Sequence, residues 1–142
     1  MSKHSCIPAI LVYLCVLSSP VAAEDERIQV DLPQMMKNHM LTNMRDHLAA
    51  INEILAALGE QRLQDAADIA ESRLGMSSLQ SHGASHMARF MPEGMRKAGT
   101  GMHRAASRFA LKAEEGDLLK AYQALSDVTA ACVACHSGYR IH

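Results

Sequence analysis

Residues 116–140 read GDLLKAYQALSDVTAACVACHSGYR. Gly116-Asp117 is typical of a turn with a capping aspartate, and the residues that follow predict a helix because apolar side chains recur at three- and four-residue spacing. The stripe consists of Leu118, Leu119, Tyr122, Leu125, Val128, Thr129, Cys132, Cys135 and Tyr139. The stretch therefore predicts a helix that carries two cysteines near its end.

The string Cys132-Val133-Ala134-Cys135-His136 is C-x-x-C-H, the attachment pattern for c-type haem. Each thiol can form a thioether to a haem vinyl group, and the adjacent imidazole can bind the iron. On a helix Cys132 and His136 are four residues apart and share one face. A thioredoxin-like dithiol is the alternative, but it normally occurs in a βαβ setting that this sequence does not predict.

Three further helices are predicted upstream. In the first, Asp31 is the expected cap, Pro33 lies in the first turn and Gly59 ends the helix. The second begins near Arg62, and the third begins after Pro92-Glu93. The apolar stripe of the first helix consists of Met36, Met40, Met44, Leu48, Ile51, Leu55 and Leu58.

No segment alternates with period two, so the fold class is predicted to be all-α. Four helices joined by short turns favour an antiparallel four-helix bundle with covalently bound haem near the C-terminus. The chain has 142 residues, no Trp and only 4% aromatic residues. A core of Leu, Ile, Ala and Met is loosely specified, and a bound macrocycle would add a large flat apolar body.

Residues 1–23 resemble a signal peptide. Lys3 is followed by an apolar run over residues 7–17 that is too short to span a bilayer, and Val21-Ala22-Ala23 offers a cleavage site. Cleavage after Ala23 would leave one domain, residues 24–142, in the periplasm, and would remove Cys6 and Cys15. No second apolar segment predicts a membrane span after processing. The net charge of −1 and the absence of a basic tract argue against nucleic-acid binding.

The C-terminal segment resembles that of class II c-type cytochromes, the cytochrome c′ family. The resemblance rests on C-x-x-C-H together with Gly116-Asp117-Leu118, Asp127-Val128 and Tyr139-Arg140. It implies a four-helix bundle with one covalent haem c, held by Cys132 and Cys135 and with His136 as proximal iron ligand. Tyr139 or Arg140 would contact a haem propionate. Dimerisation is common in the family, so a homodimer is a further expectation.

The resemblance also implies that any distal ligand comes from the first helix. Met44 fits the family spacing because Ile51 and Ile54 follow seven and ten positions later, and Met40 is the alternative. His47 is a third option for a bis-His site, whereas His39 is predicted to be solvated. The expected propionate partners on this helix are Lys37 or Arg45.

The predicted function is one-electron transfer between redox partner proteins in the periplasm, by an electron carrier rather than an enzyme. If no side chain binds the distal position, a five-coordinate haem that takes NO or CO is the alternative.

A third hypothesis is a periplasmic copper-binding bundle, since thioether and imidazole together favour copper. Its ligands would come from a segment rich in both, namely His82, His86, Met87, Met91, Met95, Met102 and His103. If haem is bound instead, these methionines are expected to line its pocket and these histidines to be solvated.

Overall fold

The computed structural model describes residues 24–142, and the predicted leader lies outside the described residues. The described chain is mostly helical, which confirms the all-α class. Short 3₁₀ turns at Met76–Leu79 and Ala88–Phe90 flank the short third helix. The five helices are α1 (Gln34–Gly59), α2 (Leu63–Arg73), α3 (Ala84–Met87), α4 (Glu93–Glu114) and α5 (Leu118–Gly138).

The helix ends follow local sequence signals in part. Asp117 caps α5 as predicted, because its carboxylate accepts a hydrogen bond from the backbone N–H of Lys120 at 3.1 Å. The predicted cap of α1 by Asp31 is wrong: Pro33 occupies the N-cap position, with no side-chain cap. The left-handed residue after α1 is Gln61, with φ of 58°, and Gly59 remains helical.

The main core lies between α1, α2, α4 and α5, with α1 packed on α2, α2 on α4 and α4 on α5. Alanines occupy many of the contact positions, so the helices approach closely. The largest fully buried apolar side chains are Phe109, Ile54, Leu58, Leu74 and Val128.

The predicted stripe of α1 is wrong at two positions, since Leu48 is 72% exposed and Leu55 is 45% exposed. The buried face passes instead through Ala50, Ile54 and Ala57. Helix α1 has apolar residues on more than one face, and α2 packs against the face whose small side chains allow the closer approach.

A second, smaller core cluster is formed by Val30, Met40, Met87 and Met95. Cys135 and Tyr139 pack against it from the end of α5. This methionine-rich cluster therefore joins the end of α5 to the first half of α1 and to the start of α4.

A two-residue parallel strand pair, which the sequence did not predict, supports this region. Strand β1 (Ile28–Gln29) pairs with β2 (Tyr139–Arg140), and the Val30 N–H donates to the Arg140 carbonyl at 2.8 Å. Strands of two residues are too short to show an alternating pattern. The pair fixes the backbone just after the C-x-x-C-H string.

Among helices of the described chain, none has both the length and the hydropathy needed to cross a bilayer.

Candidate functional site

A cavity of about 380 Å³ lies between α1, α4, the end of α5 and the segment 79–91. Its volume falls within the range of roughly 300–1,000 Å³ that is typical of small-molecule and cofactor sites. Methionines from three parts of the chain contribute to its walls: Met40, Met44, Met87, Met91 and Met95. The thioether side chains give it a mainly apolar and adaptable surface.

The C-x-x-C-H string reaches this cavity through its last two residues. Cys135 is half-buried, His136 is exposed, and both line the cavity. Cys132 does not line it and packs against the main core instead. Both cysteines are free thiols, and burial raises the pKa of each, with the neighbouring Cys132 adding to the effect at Cys135. Thioredoxin-like dithiols need a lowered thiol pKa, so this environment argues against that chemistry.

The residues predicted as distal ligands lie on the same cavity. Met40 is buried and Met44 is half-buried, and both line it, as does His47 one turn further along α1. The structure thus brings both methionines together with Cys135 and His136, without favouring either methionine.

Three arginines border the cavity: Arg27, Arg96 and Arg140. Arg140 was predicted at this position, whereas Lys37 and Arg45, the residues expected to hold propionates, do not line the cavity. Arg27 and Arg96 lie far from the motif in sequence and on no apolar stripe, so sequence reasoning missed them.

Arg140 has one unsatisfied group. Its Nε is buried without a hydrogen-bond partner and lies 3.5 Å from a carboxylate oxygen of Asp25. Asp25 is already bound by Arg27 at 2.7 Å, and the hydrogen bond from Arg27 is the main cause that lowers the pKa of Asp25. Arg140 therefore forms an ion pair with Asp25 at the border of the cavity, and guanidinium groups in such a position suit a ligand that carries a carboxylate.

Two glycines of α4 shape the cavity wall. A Cβ at Gly94 would overlap the Tyr139 hydroxyl, so glycine at this position lets Tyr139, which was predicted at this site, lie against the helix. Gly99 lines the cavity, and no atom lies within 4 Å of the place where its Cβ would stand. The backbone of α4 is therefore open to a flat ligand at that point.

A cluster of three imidazoles, His47, His82 and His103, lines another part of the same cavity. Their ring centroids lie 4.8 Å apart for His47 and His82, 5.4 Å for His82 and His103, and 5.9 Å for His47 and His103. They come from α1, from the segment before α3 and from α4, so only the fold brings them together.

Hydrogen bonds hold this histidine cluster in place. His103 Nδ1 lies 2.7 Å from the Leu74 carbonyl and donates to it, since a carbonyl can only accept. The His82 carbonyl accepts from Asn43 at 3.0 Å and from His39 Nε2 at 2.9 Å. Ser78 Oγ lies 3.3 Å from His82 Nδ1 and 3.5 Å from His103 Nδ1.

These contacts correct the expectation of solvated histidines. His82 and His103 are buried, and His39 is half-buried. His86, by contrast, is exposed and does not line the cavity. Of the candidate copper ligands His82 and His86, only His82 thus lines the cavity, where it contacts His47 and His103.

Burial sets the protonation state of the cluster. Burial removes water from all three imidazoles, and this is the main reason why the pKa of each is lowered. The pKa of His47 falls to about 4. Each of these groups is therefore neutral at pH 7.

We expect the free energy of unfolding to fall as pH drops below about 6.5. In the unfolded chain His47 is protonated near its ordinary pKa of about 6.5. In the folded chain the pKa of His47 is about 4, so protonation requires a lower pH. The unfolded state binds more protons across this window, so stability is complete above it and declines toward acid. After allowance for the partial exposure of His47, its protonation alone should lower the free energy of unfolding by about 1–2 kcal/mol between pH 7 and pH 5.

Urea denaturation at both pH values measures this loss. The His47→Gln variant should have a smaller dependence on pH, and His86→Gln should behave like the parent chain because His86 is exposed. Equal pH dependence in all three proteins would contradict the assignment.

Within residues 24–142, no group of three or more His, Cys, Asp or Glu side chains is already arranged to hold a metal ion. No family model, no curated protein and no solved structure matches this chain. The function is therefore inferred from the residues that line the cavity.

Proposed function

We propose that this chain is a mono-haem c-type cytochrome of class II that transfers single electrons between periplasmic proteins. One observation carries the proposal: Cys135 and His136 of the C-x-x-C-H string line the same methionine-rich cavity as Met40 and Met44 of α1. A haem attached to this string would thus lie in a mainly apolar cavity that also contains thioether side chains.

The residues present fit such a group. Arg27, Arg96 and Arg140 border the cavity, and guanidinium groups suit the two propionates of a haem. The open backbone at Gly99 leaves room for a flat ring against α4. Tyr139, which packs beside the methionines and the end of α5, offers a further polar contact at the same edge.

In this proposal Cys132 and Cys135 would hold the group, and His136 would bind its iron. A bound haem supplies an iron that alternates between the ferric and ferrous states. Met44, or Met40, would be the second protein ligand, and a thioether would favour the ferrous state and so raise the reduction potential. The apolar walls limit the access of water, and the strand pair holds Tyr139 and Arg140 in place.

The finer architecture belongs to the same proposal: α1, α2, α4 and α5 form an antiparallel four-helix bundle of the class II type. Removal of residues 1–23 during export and pairing into a homodimer are further parts of it. Export suits the cofactor, since c-type haem is attached outside the bacterial cytoplasm.

The test is production of the full chain with a haem-attachment system, followed by spectra of the oxidised and reduced protein with and without CO. We expect a mass increase of one haem, a Soret band and a low-spin spectrum that CO does not change. Met44→Ala should turn the ferric spectrum high-spin because it removes the distal thioether. Met35→Ala is the matched control, since Met35 is also on α1 but is 72% exposed.

Each other outcome has a definite meaning. A high-spin change with Met40→Ala but not with Met44→Ala would assign the ligand to Met40. A high-spin parent protein that binds NO or CO would replace electron transfer with gas binding. A colourless protein without added mass would overturn the proposal.

A further inference from the structure

We propose that His47, His82 and His103 form a binding site for one divalent transition-metal ion, Zn²⁺ or Cu²⁺. The three side chains come from separate parts of the chain and meet on the wall of the cavity. The inference does not depend on haem, because none of the three belongs to the C-x-x-C-H string.

The spacing of the rings is that of three imidazoles on a common ion. With centroid separations of 4.8, 5.4 and 5.9 Å, the point equally distant from the three rings lies roughly 3 Å from each centroid. An ion bound through an imidazole nitrogen at ~2.0–2.1 Å also stands roughly 3 Å from the ring centre. His47 Nε2 and His82 Nδ1 are 3.5 Å apart, close enough to share one ion.

The donor atoms do not yet form a ready ligand group. A histidine ring turns about its Cβ–Cγ bond, and its centroid lies close to that axis. Rotation therefore redirects the nitrogens while the separations between the rings are kept. The terminal torsion of histidine is broad, and a bond from His82 Nδ1 to the ion would replace its 3.3 Å contact with Ser78 Oγ, while His103 keeps its hydrogen bond to Leu74.

The surroundings prepare the imidazoles for a metal. His82 and His103 are buried and His47 is half-buried, so the ion would be partly shielded from solvent. The hydrogen bond from His103 Nδ1 to the Leu74 carbonyl leaves Nε2 as the free donor, an arrangement common around metal-bound histidine. Ser78 Oγ and Asn43 hold the segment that carries His82.

The donor type selects the ion. Three imidazoles without a carboxylate suit zinc and copper and disfavour Mg²⁺ and Ca²⁺, which require oxygen ligands. A site with three imidazole ligands leaves a fourth position for water or a ligand.

The test measures Zn²⁺ and Cu²⁺ binding to the full chain by calorimetry in the presence of a competing chelator. Haem-loaded protein is used where haem is attached; otherwise Cys132 and Cys135 are alkylated first so that the thiols cannot bind the ion. We expect one ion per chain and no binding of Mg²⁺. His82→Gln and His103→Gln should each weaken binding by about 100-fold or more, since even partners of metal ligands contribute about 10- to 100-fold.

The matched control is His86→Gln, which should bind like the parent because His86 is exposed and outside the cavity. Pulsed EPR of the parent chain with Cu²⁺ should detect directly bound imidazole nitrogens, which keeps the test valid even if a variant misfolds. Absence of a bound ion, an EPR signal without bound imidazole, or equal weakening by His86→Gln would each overturn the site. Failure of haem attachment would leave these results unaffected.

Discussion

Changing both Cys132 and Cys135 to alanine is expected to abolish covalent haem attachment. Each thiol forms one thioether in the proposed site, so the double variant has no covalent link, whereas each single variant keeps one. Mass spectrometry of the denatured protein should show one added haem in the parent and none in the double variant. A Soret band that stays with the polypeptide after denaturation reports the same difference.

Val133→Ala is the matched control for this prediction. Val133 lies between the two cysteines on α5 but is 64% exposed, so its replacement should leave haem attachment unchanged. Haem that remains covalently bound after both thiols are removed would contradict the proposed attachment.

Phe109→Ala should cause the largest loss of stability of any single change in the main core. Phe109 is fully buried on α4, and replacement of a buried Phe by Ala typically costs about 3–5 kcal/mol. Whole domains of this kind are stable by only about 5–15 kcal/mol, so the variant should unfold at much lower denaturant concentration. Urea titration monitored by circular dichroism measures the difference.

Leu111→Ala is the companion variant on the same helix. Leu111 is 62% exposed, and its truncation should change the free energy of unfolding by less than about 0.5 kcal/mol. A similar decrease in the free energy of unfolding for the two variants would contradict the position of the main core around Phe109.

Local signals in the sequence predicted several helix ends, although the predicted Asp31 cap of α1 was wrong. The Asp117 cap and the apolar spacing after it predicted α5, and the start of α4 followed from Pro92-Glu93. Of the residues that line the cavity, Cys135 and His136 were named from the motif, and Met40 and Met44 from the resemblance to class II cytochromes. Helix periodicity and short motifs depend on residues within one or two turns of each other.

Features that depend on tertiary packing could not be predicted from the sequence. Leu48 continues the periodic stripe of α1, yet it faces outward, because the face of α1 that packs in the core passes through Ala50, Ile54 and Ala57. The grouping of Arg27 and Arg96 at the cavity depends on segments that are distant in sequence.

The sequence contains only a weak signal of the histidine cluster. His103 directly follows Met102 on the buried stripe of α4, and His47 stands three positions after Met44. A histidine at an inward position is unusual enough to suggest a buried polar contact. Its partners could not be inferred, because even the two nearest in sequence, His82 and His103, are 21 positions apart and no local rule links them.

The parallel pairing of Ile28–Gln29 with Tyr139–Arg140 has a consequence for folding kinetics. It closes a loop of roughly a hundred residues, which costs more chain entropy than any contact between successive helices. The helices should therefore assemble first and the pairing should come late. In native-state hydrogen exchange the Val30 amide, bonded to Arg140, should exchange earlier than the amides of α4. The strand pair that positions Tyr139 and Arg140 at the border of the cavity would thus be the last part of the described molecule to be completed.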